Sequence, residues 1–175
     1  MKYRVLNDEV LYSEERHPRL TEADLDVLTA MAAANERKRI RLCTHADAES
    51  RLQEMFIVHG RDCYVRPHKH TDKDECLHVL RGSADMIFFD EGGEVAEVVP
   101  LGASGGERAF ACRVPMNVYH MLIIRSDVLV FSEATTGPFD REKMVFADWA
   151  PEDGRPEAWE YVAEVQAGIE KERKP

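Results

Sequence analysis

His68-Lys69-His70, Glu75 and a distant His120 are the residues of this chain best suited to chemistry. On a β-strand, two histidines separated by one residue project to the same side, because side-chain direction alternates with period two. Glu75 follows after a short loop. His120, in Pro115-Met116-Asn117-Val118-Tyr119-His120, comes from a distant strand that can join them inside a small barrel. Three imidazoles and one carboxylate form a donor set that a divalent first-row transition metal accepts. A lone buried histidine is usually a satisfied core residue, but burying four such groups together without an ion would be costly. One divalent transition metal is therefore expected on His68, His70, Glu75 and His120. Fe(II) is the first expectation, with Mn, Ni, Zn and Cu accepted by the same donors.

The elements that must position these residues read as a mainly β chain. From Arg39 to about Thr136 the apolar pattern has period two. Strands are expected at 39–42, 54–58, 64–68, 75–80, 84–89, 94–101, 107–114, 118–124 and 128–133. Turns are signalled by Arg81-Gly82-Ser83, Asp90-Glu91-Gly92-Gly93, Gly102-Ala103-Ser104-Gly105-Gly106 and Ser126-Asp127. Strands at this spacing suggest a barrel or sandwich. Before them, Thr21 can cap a helix from about Glu22 to Arg37, with Asp24 completing a capping box and Leu25, Leu28, Met31 and Ala32 forming an apolar stripe. After them, Pro156-Glu157-Ala158-Trp159-Glu160 starts a final helix with Tyr161, Val162, Val165 and Ile169 on one face. The expected organisation is an N-terminal extension with helix over 1–38, a β-barrel over 39–137 and a C-terminal extension with helix over 138–175, one structural domain overall.

Strand parity then sorts the neighbours. With His68 and His70 facing inward, Arg66 and Tyr64 share their side, whereas Val65 and Pro67 face away. Glu75 inward brings Leu77 and Val79 with it and sends Cys76 and His78 outward. His120 inward takes Val118, Leu122 and Ile124 as neighbours.

Composition limits the partners. The chain has 175 residues, enough to bury a core, and 44% of them are hydrophobic, with ten glycines and eight prolines. A formal charge of −10 disfavours nucleic acid, which requires clustered Lys and Arg. No apolar run approaches a membrane span and the N-terminus has no signal-type apolar region, so a cytoplasmic address is expected. Cys43, Cys63, Cys76 and Cys112 form no CxxC pair and are expected as reduced thiols. Arg37-Lys38-Arg39-Ile40-Arg41 is a basic island. It reads either as cations at the end of the first helix or as Arg39 and Arg41 facing an anionic ligand from one strand face.

The metal constellation also carries a family resemblance. His68-x-His70, four residues, Glu75, six residues and Gly82 match the first cupin motif from its histidines onward. Pro115-x-Asn117-x-x-His120 resembles the second, with asparagine where the family usually has glycine. Asn tolerates the left-handed conformation, so the turn survives the change. Asp62 stands where the family has glycine six before His68, and Ile124 replaces its trailing asparagine. Arg39-x-Arg41 with His45, Tyr64 to His70, Lys73-Asp74-Glu75, Phe88-Phe89-Asp90, Glu133 with Gly137-Pro138-Phe139, and Trp149-Ala150-Pro151 are similar to the WbuC-type cupin-fold metalloproteins over about residues 36–152. That resemblance implies a cupin-type double-stranded β-helix (jelly-roll) barrel and a bound metal. It also implies a context near O-antigen polysaccharide synthesis.

Two function classes follow. The first is a metal-dependent enzyme on a small polar or anionic metabolite, a sugar or keto acid, of dioxygenase type with non-heme iron or of isomerase type with other metals. The second is a non-catalytic sugar- or metabolite-binding module anchored by the metal. In the enzyme reading Tyr64 and Lys73 are candidate acid/base groups, and Arg66, Arg39, Arg41 and Glu133 are candidate substrate-binding residues. Arg66 would either hold a carboxylate or phosphate with its planar fork or pair with an interior acid such as Glu133. A homodimer is expected through barrel faces and edge strands.

Overall fold

The computed structural model describes residues 1–172 and shows a mainly β protein. Twelve strands fall into two sheets: β1 (Tyr3–Asn7), β2 (Val10–Ser13), β3 (Arg39–Cys43), β4 (Leu52–Gly60), β5 (His68–His70), β6 (Glu75–Arg81), β7 (Ser83–Phe89), β8 (Val95–Gly102), β9 (Ala111–Val114), β10 (Tyr119–Ile124), β11 (Val128–Thr136) and β12 (Met144–Phe146). The seven-stranded sheet runs β1-β2-β3-β4-β11-β6-β9, and the five-stranded sheet runs β12-β5-β10-β7-β8. All strand pairs are antiparallel except β2 on β3.

The period-two pattern explains why the two sheets face each other. Leu77, Val79 and Phe131 of one sheet and Met86, Phe88 and Leu122 of the other share one buried cluster between them. The alternate residues face outward. Ile40, Leu42, Val58 and Val130 form a second cluster with Leu25, Leu28 and Ala32 of α1 (Glu22–Ala34). Tyr119, Met121, Ile123 and Ile87 form a third with Ala158, Val162 and Ile169 of α2 (Glu157–Glu172). One helix thus covers the outer face of each sheet.

Local chemistry sets the element ends. Thr21 and Asp24 exchange the two capping bonds expected of them, the Thr21 amide donating to Asp24 at 2.8 Å. The helix stops at Ala34, three residues short of the expected Arg37, so no cation occupies its last turn. Gly82 turns β6 into β7 at φ +79°, where a Cβ would stand 2.1 Å from the Val128 carbonyl oxygen. Asn117 adopts φ +63°, the left-handed turn expected at the position where cupins carry glycine.

Three strand expectations need correction. Residues 61–67 form no strand; the chain turns at Gly60–Cys63, and β5 begins only at His68. Pro67 has no amide to offer a ladder, which favours the late start. The 107–114 strand shrinks to Ala111–Val114, with a lone bridge between Leu101 and Ala109. The sheets also extend beyond 39–137: β1 and β2 join the first through β3, and β12 pairs with β5 in the second.

Candidate functional site

β5, β6 and β10 bring the four predicted donors together. His120 is the cross-strand partner of His68, and β6 presents Glu75 from the facing sheet. One ligand atom each from His68, Glu75 and His120 fall within 4.8 Å of one another, compact enough to hold a metal ion. His70 joins through Glu75, its Nε2 standing 2.9 Å from Oε1, while His120 Nε2 stands 3.3 Å from Oε2. Leu77 and Val79 follow Glu75 inward, and Cys76 and His78 lie outside, as parity requires.

The donor set fits a cation on the evidence of its own hydrogen bonds. Nδ1 of His68 lies 2.9 Å from the Arg66 carbonyl oxygen, and Nδ1 of His120 lies 3.0 Å from that of Val118. Both carbonyls are acceptors, so both Nδ1 atoms carry the proton, and a neutral ring then turns a bare Nε2 lone pair into the cluster. Nε2 of His120 therefore faces a carboxylate oxygen, two acceptors together, which only a proton or a metal cation reconciles. His70 Nδ1 is buried without a partner. Burial first, with the His120 imidazole beside it, holds His68 near a pKa of about 3, so it stays neutral. Glu75 is buried too, which by itself would raise its pKa. The adjoining His120 and His70 imidazoles outweigh that and hold it below the usual carboxylate range.

The cluster opens on a cavity of about 610 Å³, within the range of small-molecule sites. The remaining candidates divide around it. Lys73 lines it, only 6% exposed, its Nζ 5.1 Å from the Phe139 ring and without an ion pair among the described residues. Glu133 lines it too. Burial, with the Glu75 charge added, pushes its carboxyl above the usual carboxylate range, against the pull of Arg41 and Lys73. Arg66 donates to the Ala147 carbonyl at 2.8 Å, stacks over Phe146 and leaves Nε buried without a partner. It makes no ion pair with Glu133.

Arg39 and Arg41 both line the cavity from β3, on the face opposite Ile40 and Leu42. Arg39 is neutralised by Glu9 at 2.8 Å and Asp153 at 3.5 Å, and Arg37 pairs with the same two acids. Tyr64 is not brought to the site. It packs with α2 in the outer cluster, and its hydroxyl donates to the Pro151 carbonyl at 3.0 Å. The lost strand at 61–67 is the reason, because the parity argument needed extended chain there. Burial pushes its phenol up to about 12. His59, which the sequence reading passed over, lines the cavity from β4. The alternation Gln53, Met55, Ile57, His59 along that strand was the signal for it. The four cysteines are free.

Comparison with known proteins bears on the fold. A domain of unknown function (DUF6016) matches residues 20–101. No protein of curated function matches the chain. Among solved structures, protein SO0799 from Shewanella oneidensis is similar at 13% identity and TM-score 0.54, over 72% of this chain and 83% of that one. The nucleoside dehydratase Pac13 of Streptomyces is similar at 13% identity and TM-score 0.50, over 70% and 88%. At these identities the likeness shows architecture, and that architecture is the cupin-type barrel, here with a helix near each end.

Proposed function

We propose that this protein is a metal-dependent enzyme acting on a small anionic metabolite, a sugar or keto acid, with His68, His70, Glu75 and His120 as the metal ligands. The observation that supports this most is the buried pairing of Glu75 with His70 and His120, beside His68, at the floor of a cavity. A bound divalent ion, Fe(II) first, would supply Lewis acidity or oxygen activation. The carbonyls of Arg66 and Val118 fix the tautomers of His68 and His120, so both rings meet the ion with a lone pair already aimed. Lys73 is the group placed to move a proton, being buried in the cavity with no carboxylate to occupy it. Arg66 would orient the substrate through its unpartnered Nε while Ala147 and Phe146 hold its guanidinium in place. The WbuC-type motifs support a substrate from O-antigen polysaccharide synthesis.

The test uses anaerobically Fe(II)-loaded protein in an oxygen electrode, and Mn- or Zn-loaded protein in isomerase assays, with sugars and keto acids. Turnover is expected in one arm, lost together with the metal in His68→Ala. In Lys73→Met, kcat should fall roughly 10²-fold or more with metal retained, the usual size of a general acid/base contribution. Full activity in His68→Ala would defeat the assignment.

A further inference from the structure

Arg41 stands out among the cations of this chain. The seven-stranded sheet presents it to the cavity from β3, three strands from Glu75 on β6, or about 14 Å along the sheet at ~4.8 Å per strand. Its neighbours Arg37 and Arg39 consume the nearby acids Glu9 and Asp153. Arg41 forms no ion pair among the described residues, and its Nε is buried with no hydrogen-bond partner. A buried guanidinium nitrogen with no partner is costly and calls for an explanation.

His59 supplies a second, independent observation. Only 9% exposed, it lies across from Arg39 in the β3–β4 register, two residues along β4 from Ile57, the partner of Arg41. Its Nδ1 is also buried without a partner, and its ring edge meets Phe131 at 5.4 Å. A neutral imidazole has one N–H to donate. A fork of cationic donors and a nearby imidazole, all unsatisfied and lining one cavity wall, match an oxyanion.

We infer that Arg41 and His59 form a subsite for a terminal carboxylate or phosphate of the substrate, remote from the metal cluster. The substrate is then an elongated polar metabolite, held by its oxyanion at the β3–β4 wall while its reacting end lies at the histidines. This rests on the enzymatic reading above for its purpose, but not for its test.

The experiment uses the full chain stripped of metal with EDTA. Thermal unfolding and calorimetry are followed against inorganic phosphate and, separately, malonate. Wild type should bind at least one of them with a raised Tm, and whichever acts identifies the phosphate or the carboxylate as the natural group. Arg41→Gln should unfold no lower than wild type without anion, because it removes a half-buried charge that has no ion-pair partner among the described residues, yet bind at least tenfold more weakly. A merely structural arginine would do the opposite. If that variant does not fold, Arg41→Lys, which keeps charge but loses the fork, should weaken binding about tenfold. His59→Asn should weaken it less. No response of wild type to either anion, or unchanged binding in the Arg41 variants, would overturn the subsite. Metal content is measured on the same preparations before stripping, so a failed metal site and a failed anion subsite give different results.

Discussion

Two carbonyl oxygens decide what the histidines of this protein can do. By accepting from Nδ1, the Arg66 and Val118 carbonyls leave Nε2 of His68 and His120 as bare lone pairs, and Glu75 adds a carboxylate about as buried as His120. His59 is buried as well, but serves differently. Burial, helped by Arg39 and Arg41, depresses it to about 3, whereas in the unfolded chain it takes up a proton near its ordinary value of about 6.5. The unfolded state therefore binds more protons below pH 6.5, and the stability present above that pH is lost as pH falls. Between about pH 6 and pH 4 the loss from this residue should approach roughly 1.4 kcal/mol per pH unit. Urea unfolding at several pH values should show a shallower acid slope in His59→Gln than in wild type. Parallel curves would contradict the assignment.

The elements hold the site in register through two left-handed turns. Gly82 ends β6 just beyond the run that carries Glu75, and any side chain there strikes the Val128 carbonyl. Gly82→Ala should therefore cost about 3 kcal/mol, from strain and displaced backbone together. Asn117 precedes β10, and its amide donates to the His70 carbonyl at 2.7 Å, tying the two histidine strands. Asn117→Gly should be close to neutral and Asn117→Val should cost about 2 kcal/mol, since β-branched residues resist positive φ. Denaturant midpoints distinguish these outcomes.

The same elements show how far the sequence could be read. Period-two alternation was enough to place Glu75, Leu77 and Val79 inward, His78 outward and His120 beside Leu122, because a strand has no third choice. It failed at Tyr64, where the chain is irregular before Pro67 and parity has no meaning. It could not separate Arg39 from Arg41 either. Their difference lies in Glu9 and Asp153, brought from the β1–β2 turn and the segment before α2 by contacts that no local pattern encodes. The burial of Lys73 was equally hidden, since it stands in a loop between strands.

The whole molecule sets a cavity lined by Arg41 and Lys73, neither in an ion pair among the described residues, inside an acidic chain of formal charge −10. An anion is thus drawn by specific groups within the barrel rather than by the overall field. The barrel is held from outside, by α1 on one sheet and α2 on the other. Among the described residues no helix is long and apolar enough to cross a membrane. In α2, Ile169 is 3% exposed, so Ile169→Ala should cost about 3 kcal/mol. Because α2 buries the outward face of β10, whose inward face carries His120, that loss should also loosen the metal site. Thermal unfolding with and without metal would show a smaller metal-induced shift in this variant than in wild type.

Elemental analysis of anaerobically purified wild type and His120→Ala, with folding of both checked by circular dichroism, separates a metal centre from a bare polar cluster. Wild type should carry close to one divalent transition-metal ion per chain, and a folded His120→Ala should lose it. A wild type free of metal after reconstitution, or a variant that keeps its full complement, would contradict it.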